Sequence, residues 1–245
     1  MSTAVKDHKR GRRQAGEEKK GGEKMAEIAN GQVSRAEALA CSGYRHACHV
    51  MLYSDTKSLL FGRTPIKHII LMQMRFDGLL GFPGGFVNQS NESLEAGLCR
   101  ELQEELGVAL SISEDDHVDA RLVPVTSPSP SRLITHFYVK KLTEEQIGEV
   151  EQASLSTASD HGQEVLGMVR VPLYTTKTGG GLSSFLSHAF IGNARTQLLD
   201  SLLRLHLLSP EDLHKALWHS LKTHAHTAVD LQAALALTAA KRDQS

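Results

Sequence analysis

The stretch GFPGGFVNQSNESLEAGLCRELQEELG, Gly81 to Gly107, decides the fold of this chain. A glycine-proline turn leads into a leucine-rich segment that closes on three glutamates, Glu101, Glu104 and Glu105. On a helical wheel of ~100° per residue, Leu94, Leu98, Leu102 and Leu106 share one arc, which predicts a helix with a buried stripe. Glu105 projects between Leu94 and Leu98, Glu101 lies at the edge of the arc, and Glu104 faces solvent. Like charges one turn apart weaken a helix by a few tenths of a kcal/mol per pair. At a core boundary the cost of an unpaired carboxylate is larger, and a proton or a cation must offset it. Oxygen ligands at i, i+3 and i+4 suit a hard divalent ion such as Mg²⁺ or Mn²⁺. An ordinary charged face paired with Arg100 is the competing reading of the same pattern. The glycines before the helix favour the first, because they let backbone approach an ion or a phosphate closely.

Outward from this segment, β-rich or continuously apolar runs predict strands at 46–53 (HACHVMLY), 68–74 (HIILMQM), 133–141 (LITHFYVKK) and 164–174 (EVLGMVRVPLY). Ser34 with Glu37, and Thr143 with Gln146, have capping-box spacing and predict helix starts. Prolines in 123–131 exclude a sheet interior and predict a loop. A glycine-rich turn at 179–181 is expected to lead into one helix over 184–207. The order of elements predicts an α/β fold, a mixed sheet covered by helices. Ser209-Pro210 opens a further helix, with Leu213, Ala216, Leu217 and Leu221 on one apolar face. The expected organisation is a disordered basic tail at 1–33, a domain at 34–208, and a helical extension at 209–245.

The chain has 245 residues, a hydrophobic fraction of 40% and a formal net charge of -1. No apolar run approaches the ~18 residues of a membrane-spanning helix. The first residues carry charge and no apolar core, so no secretory signal is expected there. The three cysteines have no CxxC pair, which fits a reducing compartment. His46 and His49 flank Cys48, but no second cluster completes a four-ligand zinc site. Lys9-Arg10-Gly11-Arg12-Arg13 can be read as a nuclear address, an RNA-touching arm or a plain solvated tail.

Glu92, seven residues, and then Arg100-Glu101-Leu102-Gln103-Glu104-Glu105-Leu106-Gly107-Val108 resemble the second half of the Nudix hydrolase box. The first half departs by one residue, with six rather than five between Gly85 and Glu92. The segments HACHVMLY, LMQMRFDGLLGFPGGFV, HFYVKKLT, DHGQEVLGMVRVPLYT and FLSHAFIGNARTQLL are similar to the nudix-motif-16 branch, which comprises small-nucleolar-RNA decapping and inosine diphosphatase enzymes. That resemblance implies a Nudix α/β/α sandwich and metal-dependent cleavage of a nucleotide pyrophosphate in m7G-capped RNA or inosine diphosphate. It further implies metal binding by Glu101, Glu104, Glu105, Glu164 and the Gly84 carbonyl. Glu101, Glu105 or Glu164 would be the base, Arg100 would be structural, and His49, Arg75, Phe82 and Gln197 would meet the substrate. Capped RNA and inosine nucleotides as partners, a homodimer, and a nuclear location are further implications. A catalytically silent RNA- or protein-binding module and an ADP-ribose pyrophosphatase are the alternatives.

Overall fold

The computed structural model describes residues 31–123, 132–174, 180–223 and 232. Most of the basic tail, the proline-rich loop and the end of the extension therefore lie outside the described residues. In chain order the elements are β1 (Gln32–Val33), α1 (Arg35–Ala40), β2 (Arg45–Asp55), β3 (Leu59–Leu60), β4 (Thr64–Pro65), β5 (His68–Arg75), β6 (Leu80–Gly81) and β7 (Gly84–Val87). There follow α2 (Leu94–Leu106), β8 (His117–Leu122), β9 (Leu133–Lys141), α3 (Glu144–Ser156), β10 (Val165–Arg170), α4 (Gly180–Leu186) and α5 (Ala194–Arg204). A further helix, α6, starts at 210 and is described as far as 223.

β2 organises the sheet, whose order is β1-β8-β9-β2-β5-β10. On one edge β2 runs parallel to β9 over its first nine residues, from Arg45 opposite Leu133 to Tyr53 opposite Lys141. On the other edge it changes partner. His46 to His49 pair with β7, and Leu52 to Asp55 pair with β5, both antiparallel. The junction is bridged where the Val50 N–H donates to the Pro83 carbonyl at 3.0 Å. A strand buried on both faces must be apolar nearly throughout, and VMLY at its centre meets that demand.

Two hydrophobic clusters fill the two faces. Leu94, Leu98, Leu102 and Leu106 of α2, with Ile147 and Val150 of α3, cover Val50, Leu52, Ile69 and Leu71. Leu182 and Phe185 of α4, Leu198 and Leu202 of α5, and Leu213 and Ala216 of α6 cover Met51, Ile70, Met72 and Phe137. The result is the expected α/β/α sandwich on a mixed sheet. Both capping boxes form, at Ser34 and at Thr143. Ser93 caps α2 by accepting the Ala96 N–H at 3.1 Å. The first turn of α2 is pinned to the sheet by Glu95, which accepts from the Tyr138 hydroxyl at 2.7 Å and pairs with Arg35 at 2.9 Å. Across β2, β9 and β8 runs a row of three rings, two buried and His117 partly so, with His46 Nδ1 to His136 Nε2 at 2.9 Å and His136 Nδ1 to His117 Nε2 at 3.1 Å.

Several expectations are revised. The single helix over 184–207 is two helices, because the backbone of 189–191 bonds to β6 instead of continuing a helical ladder. Leu80 N–H donates to the Ala189 carbonyl and Ile191 N–H to the Leu80 carbonyl, each at 3.0 Å. β10 ends at Arg170, short of Pro172. Gly180 and Gly181 begin α4 rather than forming a turn. Leu221 does not share the buried face of α6 and is 73% exposed. Leu213 is buried, so Leu213→Ala should cost ~2–5 kcal/mol by removing methylenes from a packed cluster. Urea denaturation should show a lower midpoint for Leu213→Ala and none of that shift for Leu221→Ala.

Candidate active site

The loop between β6 and β7 and the last turns of α2 meet where β2 changes partner. Gly84 has φ +124, and a side chain there would run into the Cys48 carbonyl, so only glycine fits. Gly85 lies against the Glu101 carboxylate, and a Cβ would crowd it. The two glycines thus bring strand backbone into contact with two of the three glutamates.

Glu105 is 6% exposed. Its carboxylate accepts the Gly84 N–H at 2.6 Å and the Gln73 amide at 2.9 Å. Burial pushes its pKa up to about 7, against those two hydrogen bonds, and the Glu101 and Asp160 charges push the same way. Burial also raises the pKa of Glu101, opposed by Arg100. Glu104 stands further out, as the helical wheel predicts.

Arg100 is the hub of this cluster. Its guanidinium donates to Glu101 at 2.8 Å, Glu104 at 3.2 Å, Glu92 at 3.1 Å and the Phe86 carbonyl at 3.0 Å. Its expected structural role is therefore visible. Across the longer loop Glu92 is bonded to Arg100 on one side and to Asn88 on the other. The Asn88 carbonyl accepts the N–H groups of Asn91 and Glu92 at 2.9 and 3.0 Å, while Asn88 N–H donates back to Glu92 at 2.9 Å.

Among the described residues no three acidic, histidine or cysteine side chains surround one point as a finished metal shell. The donor chemistry nevertheless fits a hard cation. Glu105 is a buried carboxylate with a raised pKa, and beside it Gln73 Oε1 is buried with no hydrogen-bond partner. A divalent ion favours ionised Glu105 as burial does not, and the unpartnered Gln73 Oε1 is an oxygen of the hard kind such an ion takes.

The other expected site residues are distributed unevenly. His49 lies opposite Gly84 in the sheet register. Burial, and then the Arg75 charge, lower its pKa to about 4, so the ring is neutral near pH 7. Arg75 is thus close to His49, and it also pairs with Asp77 at 3.1 Å. Phe82 is 2% exposed and packs on Phe137, and Gln197 is buried on α5, so neither presents an open surface. Glu164 sits in an exposed turn where its carbonyl accepts the Phe76 N–H at 3.0 Å. The carboxylate felt by Glu101 and Glu105 from across the site is Asp160. Its turn is tied to α2, with Asp160 N–H and the Ser159 hydroxyl both donating to the Glu104 carbonyl at 3.2 Å. Asp160 and Gln73 are the residues that sequence reasoning missed. Gln73 had a signal, as the one amide in the apolar run of β5. Asp160 had none beyond its place in the turn before Glu164.

A mixed-sheet α/β/α sandwich with this glutamate helix defines a Nudix-type hydrolase. The family described as Nudt16-like, U8 snoRNA-decapping enzyme-like, matches residues 46–208. The U8 snoRNA-decapping enzyme of Xenopus laevis is 47% identical over 189 residues, 76% of this chain and 87% of that one. The human Tudor-interacting repair regulator protein is 47% identical over 188 residues, 76% and 86% of the two chains. A MutT/nudix family protein of Enterococcus faecalis of known structure superposes with a TM-score of 0.45 at 18% identity, covering 75% and 74%. The chain belongs to the Nudt16-like family, whose Nudix enzymes generally use divalent metals.

The raised Glu105 pKa predicts a pH effect with a definite sign. Between about 4.5 and 7 the folded protein holds the proton that the unfolded chain has released, so rising pH costs stability through that window. In excess chelator, Glu105→Gln should melt at a higher temperature than wild type at pH 8, and the two should converge near pH 4. The difference at pH 8 is on the order of 3 kcal/mol at most. Thermal denaturation at the two pH values measures it.

Proposed function

We propose that the chain is a divalent-metal-dependent hydrolase that cuts the pyrophosphate linkage of capped RNA, leaving a 5′-monophosphate end. Inosine and deoxyinosine diphosphates are its second substrates, giving the monophosphate and phosphate. The observation that carries this reading is Glu105, a buried carboxylate beside Glu101 with a pKa near neutrality, held by Gly84 and Gln73. Support also comes from the unbroken Arg100-Glu101-Leu102-Gln103-Glu104-Glu105 sequence and from decapping relatives at about half identity.

Glu101, Glu104 and Glu105 would hold Mg²⁺ or Mn²⁺, with the Gly84 carbonyl and Glu164 as further donors. Such an ion, when bound, neutralises pyrophosphate oxygens and makes water acidic enough to lose a proton at neutral pH. The side chains of this protein do the rest. A glutamate whose pKa lies near the working pH both takes and returns a proton, which favours Glu105 as the base. Arg100 fixes Glu101 and Glu104 relative to the helix. Arg75 offers positive charge beside neutral His49, a pairing suited to a phosphate next to a base edge. Phe82 and Gln197 would meet the substrate, as the resemblance implies. We also infer a nuclear homodimer, resting on the resemblance and on the Lys9 to Arg13 cluster.

Glu101→Gln keeps shape and hydrogen-bonding length while removing a charge. With Mn²⁺ present it should lower release of cap nucleotide by ~10² or more. Its circular dichroism spectrum should match wild type. Full activity in this variant would end the proposal. Wild-type protein that binds capped RNA yet releases no cap nucleotide with Mg²⁺ or Mn²⁺ would instead establish a binding module.

A further inference from the structure

Next to the glutamates lies positive charge that the described chain does not neutralise. Arg45 opens β2 and Arg132 immediately precedes β9, and the Arg45 N–H donates to the Arg132 carbonyl at 2.8 Å. Both side chains are exposed, and no carboxylate among the described residues is within ion-pair distance of either. Arg35, Arg75, Arg100, Arg121 and Arg170, by contrast, each meet an acid.

Each of the two free guanidiniums lies over an aromatic ring. Arg45 is 3.7 Å from the ring centre of Phe86, a residue 46% exposed, and Arg132 is 5.8 Å from the ring centre of Tyr44. Tyr44, Arg45 and Phe86 line a cleft of about 450 Å³ together with Asn88 and Ser90. Arg100, which is bonded to Glu101, also lines it. The cleft therefore adjoins the glutamate cluster through Arg100.

We propose that this cleft carries the RNA strand leaving the scissile pyrophosphate, with the first nucleotides single-stranded along it. Backbone phosphates meet Arg45 and Arg132, and bases lie against Phe86 and Tyr44. The proposal rests on the decapping reading and adds the path of the transcript. Cations alternating with flat aromatic faces are the recurring means of holding a single strand without reading its sequence. A duplex hides its base faces, and an acidic peptide uses the two charges but has no need of the rings.

The test uses the full chain and the double variant Arg45→Ala/Arg132→Ala, neither residue belonging to the glutamate site. The first probe is a fluorescein-labelled, unstructured 12-nucleotide RNA with a 5′-monophosphate, followed by anisotropy in chelator. Wild type should bind, with affinity falling as salt rises. The double variant should bind about tenfold more weakly, with a slope of log affinity against log salt smaller by ~1.4, that is ~0.7 for each of two phosphate contacts. Phe86→Leu should weaken binding of this RNA and leave binding of polyglutamate unchanged.

The second measurement compares substrates with added Mn²⁺. For the double variant, KM should rise about tenfold on a capped 30-nucleotide RNA, kcat should hold, and hydrolysis of the cap dinucleotide should be unchanged. Unaltered RNA affinity in the double variant, equal loss on both substrates, or equal loss of RNA and polyglutamate binding in Phe86→Leu would overturn the proposal. Salt-dependent RNA binding lost in the double variant of a protein that hydrolyses neither capped substrate would uphold the cleft and defeat decapping.

Discussion

Everything in this molecule follows from one strand having two partners on the same edge. β2 cannot bond β7 and β5 along the same residues, so the ladder changes hands at Val50, where Pro83 supplies the bridging carbonyl. The two partner strands must then part, and the chain between them has to turn inside the sheet rather than beyond its end. A turn in that position exposes backbone donors to the helix packed above. Gly84 N–H finds Glu105 for that reason. The site is a consequence of a sheet defect that the glycines make affordable.

The electrostatics follow from the same geometry. α2 is long enough to bury four leucines, and its amphipathic stripe is wide enough to draw Glu105 in with them. Burial opposes ionisation of Glu105, while the Gly84 amide and Gln73 resist that push only in part. Arg100, on the rim, opposes the push of burial at Glu101. Glu92 is held well below the usual carboxylate range by that guanidinium, and the pKa of Arg100 is raised in return. One helix therefore carries carboxylates in two settings, those at its surface held by Arg100 and one buried at its root with a pKa near neutrality. A proton acceptor and a set of fixed charges are obtained from the same residue type.

Much of this was legible in the sequence because it depends on local periodicity. The leucine spacing places α2 and orders the exposure of Glu101, Glu104 and Glu105 correctly. The two capping boxes mark helix starts to the residue. What was not legible depends on contacts distant in sequence. β8 is missing from the sequence reading because HVDARL lacks an apolar run, and it is recruited by pairing with β9. The break before α5 is set by Leu80, more than a hundred residues earlier. Asp160 reaches the site only because Ser159 and its own amide tie it to the end of α2. Gln73 stood in plain view in β5, yet its meaning needs Glu105 across the core.

The row of histidines His46, His136 and His117 has a property of its own. Burial lowers the pKa of all three, that of His136 to about 3, so the rings are neutral near pH 7. A neutral imidazole has one N–H, and His136 spends both ring nitrogens on its neighbours. If its Nδ1 donates to His117, its Nε2 must accept from His46; if its Nε2 donates to His46, its Nδ1 must accept from His117. The three tautomers are thus set together, in one of two senses. The row has a polarity, like a line of arrows pointing head to tail, and a ring at one end fixes how the ring at the other presents its free nitrogen.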